Sequence, residues 1–208
     1  VAIIMDGNGR RGMKFKKKRK YGHLKGIETV EKILKSSLKL KIQYLTLFTF
    51  STENWKRPSN EINFLFELMR KYFKRNLEDI IEKEVRVLVI GKKRGLPYDV
   101  KKILNKVVKK TRKNNKIYLT IALNYGSKEE IINACKKIVL KKKKISIKNF
   151  QAQLYTSGIP DPEILIRTGG NHRLSNFLLW QLAYSELFFV NKLWPEFNER
   201  DFLSIINK

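Results

Sequence analysis

Hydrophobic residues along this chain keep two rhythms. Compact apolar runs rich in β-branched and aromatic residues occur at 1–5 (Val1-Ala2-Ile3-Ile4-Met5), 44–50, 85–90, 117–123, 164–167 and 187–190. Their length and their Gly, Asn or charged boundaries predict strands. Between them the spacing changes to three and four. Leu24, Ile27, Val30, Ile33, Leu34 and Leu38 predict a helix over 22–40, and Ile62, Leu65, Phe66, Met69, Phe73 and Leu77 predict one capped by Ser59. Further helices are expected from Pro97 to about Lys113, from Ser127 to about Leu140, over 177–184, and from Asn198 onward. The lysine run 141–144 reads as a loop or a frayed helix end. Strands alternating with helices imply βαβ units. The fold class expected is α/β: a single domain over 1–208, with a six-stranded, mostly parallel sheet flanked by helices.

The unusual polar residues gather where strands end. Asp6-Gly7-Asn8-Gly9-Arg10-Arg11 follows the first strand and reads as a Gly-rich loop; Ser51 to Arg57 follows the second; Arg167 to Ser175 follows the fifth. In a parallel sheet all three project from one edge, where ligands of open α/β sheets bind. Glycines let backbone N–H groups approach a phosphate, and arginine forks match its oxygens. A carboxylate at Asp6 among those arginines suits a divalent cation. The set predicts a site for two anionic groups, a diphosphate with a metal being the simplest.

Composition narrows the alternatives. With 208 residues, 42% hydrophobic and 11% aromatic, the chain can bury a sizeable core. No apolar run reaches the roughly 18 residues of a membrane span, and no secretory signal is read in the chain. A lone Cys135 gives neither a disulfide framework nor a cysteine zinc site, so a reducing cytoplasm fits. Lysine and arginine outnumber acids 45 to 19, for a net charge of +26. The lysines are scattered over polar helix faces and loops, without a zinc-finger, helix-turn-helix or RNP pattern. They read as solvated surface that draws the chain to phosphates and anionic membranes, and no nucleic-acid partner is expected. Walker A, Gly-x-Gly-x-x-Gly and Asp-Asp-x-x-Asp patterns are absent. His23 and His172, the only histidines, lack a Ser or Cys partner at recognisable spacing. By default Glu186 is an exposed cap, and Phe50 and Trp55 are either core or an apolar wall beside the phosphates.

Five blocks carry a family resemblance: Met5-Asp6-Gly7-Asn8-Gly9-Arg10, Phe50-Ser51-Thr52-Glu53-Asn54-Trp55-Lys56-Arg57-Pro58, Asn124-Tyr125-Gly126, Ile166-Arg167-Thr168-Gly169-Gly170, and Arg173-Leu174-Ser175-Asn176-Phe177-Leu178-Leu179-Trp180-Gln181. In order and spacing the chain resembles the cis-prenyltransferases, bacterial undecaprenyl diphosphate synthases in particular. The resemblance implies Mg2+-dependent condensation of isopentenyl diphosphate onto an allylic diphosphate, farnesyl diphosphate above all, giving Z-polyprenyl diphosphates. It implies an allylic site of Gly7, Asn8, Gly9, Arg10 and Arg11 helped by Arg19, His23 and Arg57, and an isopentenyl site of Arg167, Arg173, Leu174 and Ser175. Asp6 and Glu186 match metal-linked carboxylates, and Asn54 matches the position of proton removal. Ser51, Thr52, Glu53 and Trp55 match a loop over the substrates. A homodimer, a hydrophobic tunnel, and a cytoplasmic protein touching the inner membrane surface through its lipid product are implied as well. Since asparagine is a weak base, a diphosphate oxygen is the competing proton acceptor.

Three positions depart from the family pattern. Arg11 stands where bacterial members usually have Trp, Asn171 replaces the usual Glu, and the sequence ends at Lys208 without the Arg-rich tail of many members. The readings left beside an undecaprenyl synthase are a shorter-chain synthase, a non-catalytic partner subunit of the same fold, and a basic nucleic-acid-binding protein.

Overall fold

The computed structural model describes residues 1–16 and 18–208. Six strands form one sheet: β1 (Ala2–Ile4), β2 (Tyr44–Ser51), β3 (Val85–Ile90), β4 (Ile117–Tyr125), β5 (Ile164–Arg167) and β6 (Glu186–Phe189), in the order β3-β4-β2-β1-β5-β6. Every pairing is parallel, so the sheet is wholly rather than mostly parallel. Among the described residues seven α-helices connect it: α1 (Asn8–Lys16), α2 (Arg19–Lys39), α3 (Ser59–Glu82), α4 (Tyr98–Lys110), α5 (Ser127–Leu140), α6 (Ile147–Gln151) and α7 (Glu199–Ile206).

Side chains alternate across the pleat. Ile3, Leu45, Leu47, Val87, Leu119 and Ile166 point into a large core filled from α2, α3, α4 and α7 by residues such as Ile33, Phe66, Phe73, Leu104 and Phe202. Ala2, Ile4, Ala122 and Leu165 face the other side, where Tyr125, Phe177, Leu178 and Leu182 complete a smaller core. Covering both faces explains why these strands read as continuous apolar runs.

Two segments depart from the sequence pattern. The stretch 8–16 is helical although its glycines read as a loop. Its partner explains this: α1 lies so close to α2 that a Cβ on Gly22 would strike the Asn8 carbonyl, and one on Gly12 would strike the carbonyls of Lys18 and Arg19. Tertiary packing here overrides weak helix propensity. Conversely, 177–184 is a series of turns, not a helix. Ser175, Asn176 and Leu178 all take positive φ (51°, 63° and 44°), which cannot propagate a right-handed helix. At the start of α3, Pro58 occupies the cap position and Ser59 is the first helical residue. Asn198 does cap α7, accepting from the N–H groups of Arg200 and Asp201.

Candidate active site

The chain runs from β1 outward through β2 and then, after β4, crosses back to place β5 on the other side of β1, so the strand order reverses between β1 and β5. A crevice opens at such a reversal, beyond the carboxyl ends of the strands. Here it is a cleft of about 630 Å³. Asp6, Gly7, Asn8, Gly9 and Arg10 line it from the β1–α1 junction; Arg19 and His23 from α2; Ser51, Glu53, Asn54 and Arg57 from the segment after β2; Arg167, Arg173 and Ser175 from the segment after β5. Fourteen residues expected from sequence thus converge. Because α1 begins at Asn8, its unpaired first-turn N–H groups meet the cleft, and the helix dipole adds to their affinity for an anion.

Asp6 sits at the centre. Its Oδ2 accepts from Arg167 Nη2 (2.9 Å) and Asn171 Nδ2 (2.8 Å), and its Oδ1 lies 3.2 Å from Arg10 Nη2. Burial works to raise its pKa, but those hydrogen bonds and the charges of Arg10 and Arg167 prevail and hold it below the usual carboxylate range. Arg167 is buried; its Nη1 donates to Ser175 Oγ (2.7 Å) and to the Arg173 carbonyl. Asn171, which sequence marked only as a departure, therefore helps keep Asp6 ionised.

A second carboxylate organises the opposite wall. Glu61 on α3 is buried, with Oε2 2.9 Å from Arg19 Nε and Oε1 3.1 Å from Arg57 Nη1. Burial again opposes ionisation, and Arg19 and Arg57 overcome it, so the Glu61 pKa is lowered. His23 Nε2 lies 3.5 Å from Glu61 Oε1, yet burial first and the Arg57 charge next depress the imidazole pKa to about 4. It is neutral at pH 7. Glu61 was read as part of an ordinary helix; the signal available was Arg57 four residues earlier, at ion-pair spacing.

After β2 the chain makes a 3-10 turn over Thr52–Lys56, closed by a reciprocal cap between Ser51 and Asn54. The Asn54 amide oxygen accepts from the Ser51 N–H (3.2 Å). Glu53 Oε1 accepts from Asn176 Nδ2 (2.8 Å), tying this turn to the loop after β5 across the cleft.

The cleft continues into an apolar cavity of about 130 Å³ between the sheet, α2 and α3, lined by Leu47, Phe50, Phe66, Met69, Tyr72, Phe73, Leu119 and Ile121 among others. Met5, Asn8, His23, Thr49 and Leu65 border both spaces. An anion-binding cleft thus opens onto a hydrocarbon-lined one.

Residues 4–208 match the family profile described as "Putative undecaprenyl diphosphate synthase". The chain is 46% identical to an isoprenyl transferase of Oceanobacillus iheyensis over 97% of its length and 83% of that protein. To an isoprenyl transferase of Thermotoga maritima it is 47% identical, covering 99% and 91% of the two chains. The chain belongs to the cis-prenyltransferase family. Among solved structures it resembles lavandulyl diphosphate synthase from Lavandula x intermedia in complex with dimethylallyl diphosphate (TM-score 0.95, 29% identity, 100% of this chain and 92% of that one). It also resembles a probable undecaprenyl diphosphate synthase from Campylobacter jejuni (TM-score 0.85, 34% identity, 99% and 91% covered).

Not every expected residue reaches the cleft of this cis-prenyltransferase. Arg11 turns away to pair with Glu196 (2.9 Å) and to stack over Phe15. Trp55 donates through Nε1 to Asn124 Oδ1 (2.7 Å) and packs edge-on against Phe50, a partly exposed extension of the core. Thr52 and Leu174 also lie outside the cleft lining. Glu186 is the largest correction. It opens β6 in register with Ile164, whereas Arg167 pairs with Phe189, so Glu186 lies about 10 Å of strand away from the carboxyl edge. Within one chain it does not meet Asp6. Among the described residues, no three His, Cys, Asp or Glu side chains converge as a metal cage. No helix among the described residues is long and apolar enough to cross a membrane.

Proposed function

We propose that this cis-prenyltransferase, with 1–208 as one catalytic domain, extends farnesyl diphosphate with isopentenyl diphosphate to a long Z-polyprenyl diphosphate, undecaprenyl diphosphate being the product. The observation that carries this is the shared border of Met5, Asn8, His23, Thr49 and Leu65 between the arginine-lined cleft and the apolar cavity. A diphosphate head needs the first and a growing isoprenoid tail needs the second.

In this reading the allylic diphosphate rests on the α1 N-terminus with Arg10, Arg19 and Arg57, and isopentenyl diphosphate takes Arg167, Arg173 and Ser175. Asp6 is the residue that would hold Mg2+, an ion usually bound through one or two carboxylates together with substrate phosphates. Bound there, Mg2+ supplies neutralisation of the charge that develops on the departing diphosphate. Arg10 and Arg57 share that task from fixed positions. The allylic C–O bond breaks and its electron pair leaves with the diphosphate. The isopentenyl terminal carbon bonds to the allylic carbon, and the positive charge falls on the methyl-bearing carbon. The CH2 beyond that carbon loses one proton to form the new double bond. With its amide oxygen engaged by Ser51, Asn54 is better suited to donate through its NH2 group than to act as the base. The proton goes to a diphosphate oxygen. Turn 52–56, linked to Asn176 through Glu53, closes the site against water.

A shorter product is the second reading, favoured by one observation: the apolar cavity is small and Tyr72 forms its far wall. A homodimer and contact with the cytoplasmic membrane surface belong to the same proposal. Incubation of the full chain with farnesyl diphosphate, labelled isopentenyl diphosphate and Mg2+ tests it. A ladder ending near eleven isoprene units, about the undecaprenyl length, and lost with EDTA is expected from the resolved-diphosphate chemistry. Termination after one or two additions would select the shorter-chain reading, and no incorporation by folded protein would overturn both.

A further inference from the structure

Residues 131–160 carry seven lysines and no aspartate or glutamate. On α5, Ile132, Val139 and Leu140 are 56%, 72% and 82% exposed; beyond it, Ile145 and Ile147 are 83% and 69% exposed. Every residue from Lys141 to Lys148 is exposed. Five of the thirteen exposed large hydrophobic residues among the described residues therefore fall within 132–147. Soluble surfaces normally scatter such residues singly. This corner is also held in shape. Ser146 Oγ accepts from the Asn149 N–H (3.2 Å) as the cap of α6, and Asn149 Nδ2 donates to the Lys144 carbonyl (2.8 Å). Lys137 and Lys141 donate to Gln153 (3.2 and 3.0 Å), fastening the end of α5 to the segment after α6.

We infer that this α5–α6 corner is a docking surface for an anionic phospholipid bilayer. Charge names the occupant, because a lysine-rich stretch without an acid over 131–160 is complementary to an anionic leaflet. Aliphatic side chains between the lysines add insertion at the headgroup boundary. A nucleic acid would favour stacking aromatics, and none occurs between 131 and 149. A second copy would bring the same lysines face to face.

The position gives the docking a use. α5 starts beside the carboxyl end of β4 and runs fourteen residues back, roughly 21 Å, to the sheet edge where β5 begins. The corner thus lies at the end of the sheet opposite the cleft. The apolar cavity heads the same way: its wall Tyr72 also borders a surface depression with Asn76, Lys83 and Val85. Docked this way, the cleft stays open to water and the far end of the hydrocarbon cavity faces the bilayer. That use rests on the proposed chain elongation; the docking itself does not.

The test is cosedimentation of the full chain, without either substrate, with phosphatidylcholine vesicles with and without added phosphatidylglycerol. Binding is expected only to the anionic vesicles and weakens with salt. A variant combining Lys142→Gln, Lys143→Gln, Lys144→Gln and Lys148→Gln loses about a hundredfold or more, each lysine near an anionic surface being worth roughly fivefold. The Leu140→Asn, Ile145→Asn variant loses about tenfold, with melting temperature and turnover on soluble substrates unchanged. Unaltered vesicle binding by either variant overturns the inference. So does equally tight, lysine-dependent binding to an RNA duplex, or a shift in oligomeric state caused by Leu140→Asn and Ile145→Asn. Vesicle binding by a protein that makes no polyprenyl product would sink the elongation reading and leave the docking surface standing.

Discussion

Arg167 Nη2 lies 2.9 Å from Asp6 Oδ2, a contact between residues 161 positions apart that joins the loops after β1 and β5. The pair sets one carboxylate and one buried guanidinium at the centre of the cleft that the proposed reaction would fill with two diphosphates and a cation. Removing either partner therefore has separable consequences.

Asp6→Ala is expected to lower turnover by roughly a hundredfold or more, the scale of losing one preorganised charge contact in the transition state. Asp6 lies in a loop and is partly exposed, so circular dichroism should report an intact fold. Wild-type-like turnover in this variant would remove Asp6 from metal and diphosphate chemistry. Because its pKa is lowered on folding, the ionised form persists above the ordinary value near 3.8 and is lost only as pH falls through the lower folded value.

Arg167→Ala should raise the KM for isopentenyl diphosphate at least tenfold while changing that for the allylic substrate much less. Arg57→Ala should do the reverse. Steady-state kinetics with each substrate varied in turn checks both. Equal effects on the two substrates would mean that the two phosphate sites are exchanged or shared.

His23 gives a stability signature. It is buried neutral with a pKa of about 4 against 6.5 when unfolded, so the unfolded chain binds the extra proton between those values. Its contribution is full above pH 6.5 and is lost as pH falls toward 4, on the order of 3 kcal/mol over the window. His23→Asn should flatten the fall in melting temperature between pH 6.5 and 4. The Glu61 carboxylate, whose pKa is lowered, keeps its full contribution above its ordinary value near 4.5 and loses it as pH falls through the lower folded value.

Tyr72 divides the apolar cavity from the depression beside Asn76 and Lys83. Tyr72→Ala should join them and lengthen the product by one or more isoprene units on thin-layer separation. The truncation costs on the order of 2 kcal/mol in stability, since a half-buried ring is lost. An unchanged ladder would place the limit elsewhere along the cavity.

Gly22→Ala should be far more damaging than its size suggests. The added methyl meets the Asn8 carbonyl, so α1 must move off α2 and its N-terminus off the cleft. A melting temperature lowered by several degrees and a weakened allylic substrate site are expected together. Gly158→Ala, with nothing within 4 Å of the added Cβ but a positive φ of 84°, serves as a control for backbone strain alone.

The strands were readable from composition because each is buried on both faces and therefore uniformly apolar; β3 matches its expected bounds of 85–90. The convergence of 6–10, 51–57 and 167–175 followed from parallel topology, which brings carboxyl ends to one edge. What escaped the sequence was set by tertiary contact. Helix α1 owes its form to glycines on a second helix, and the 177–184 turns owe theirs to left-handed residues fixed by neighbours such as Asn176, whose carbonyl and Oδ1 accept from the N–H groups of Ser127 and Lys128. The Glu61 pairing with Arg19 and the Asn171 bond to Asp6 join distant segments that no local spacing announces. Glu186 was assigned by motif alone, and strand register moved it to the opposite edge.

The central position of β1 bears on how the molecule comes into being. Its first strand finds one neighbour in β2 early, but the other, β5, is made more than 150 residues later. Trp194 completes the frame later still: its indole donates to the Gly26 carbonyl and its N–H to the Asp6 carbonyl, both 2.9 Å. Contacts so distant in sequence slow folding and postpone it. During synthesis, β1 to β4 with α2 and α3 can gather while Asp6 still waits for Arg167. The reaction centre gains its second wall only once 167–175 has been made, so a nascent chain stopped before that point meets diphosphates with only half of its grip.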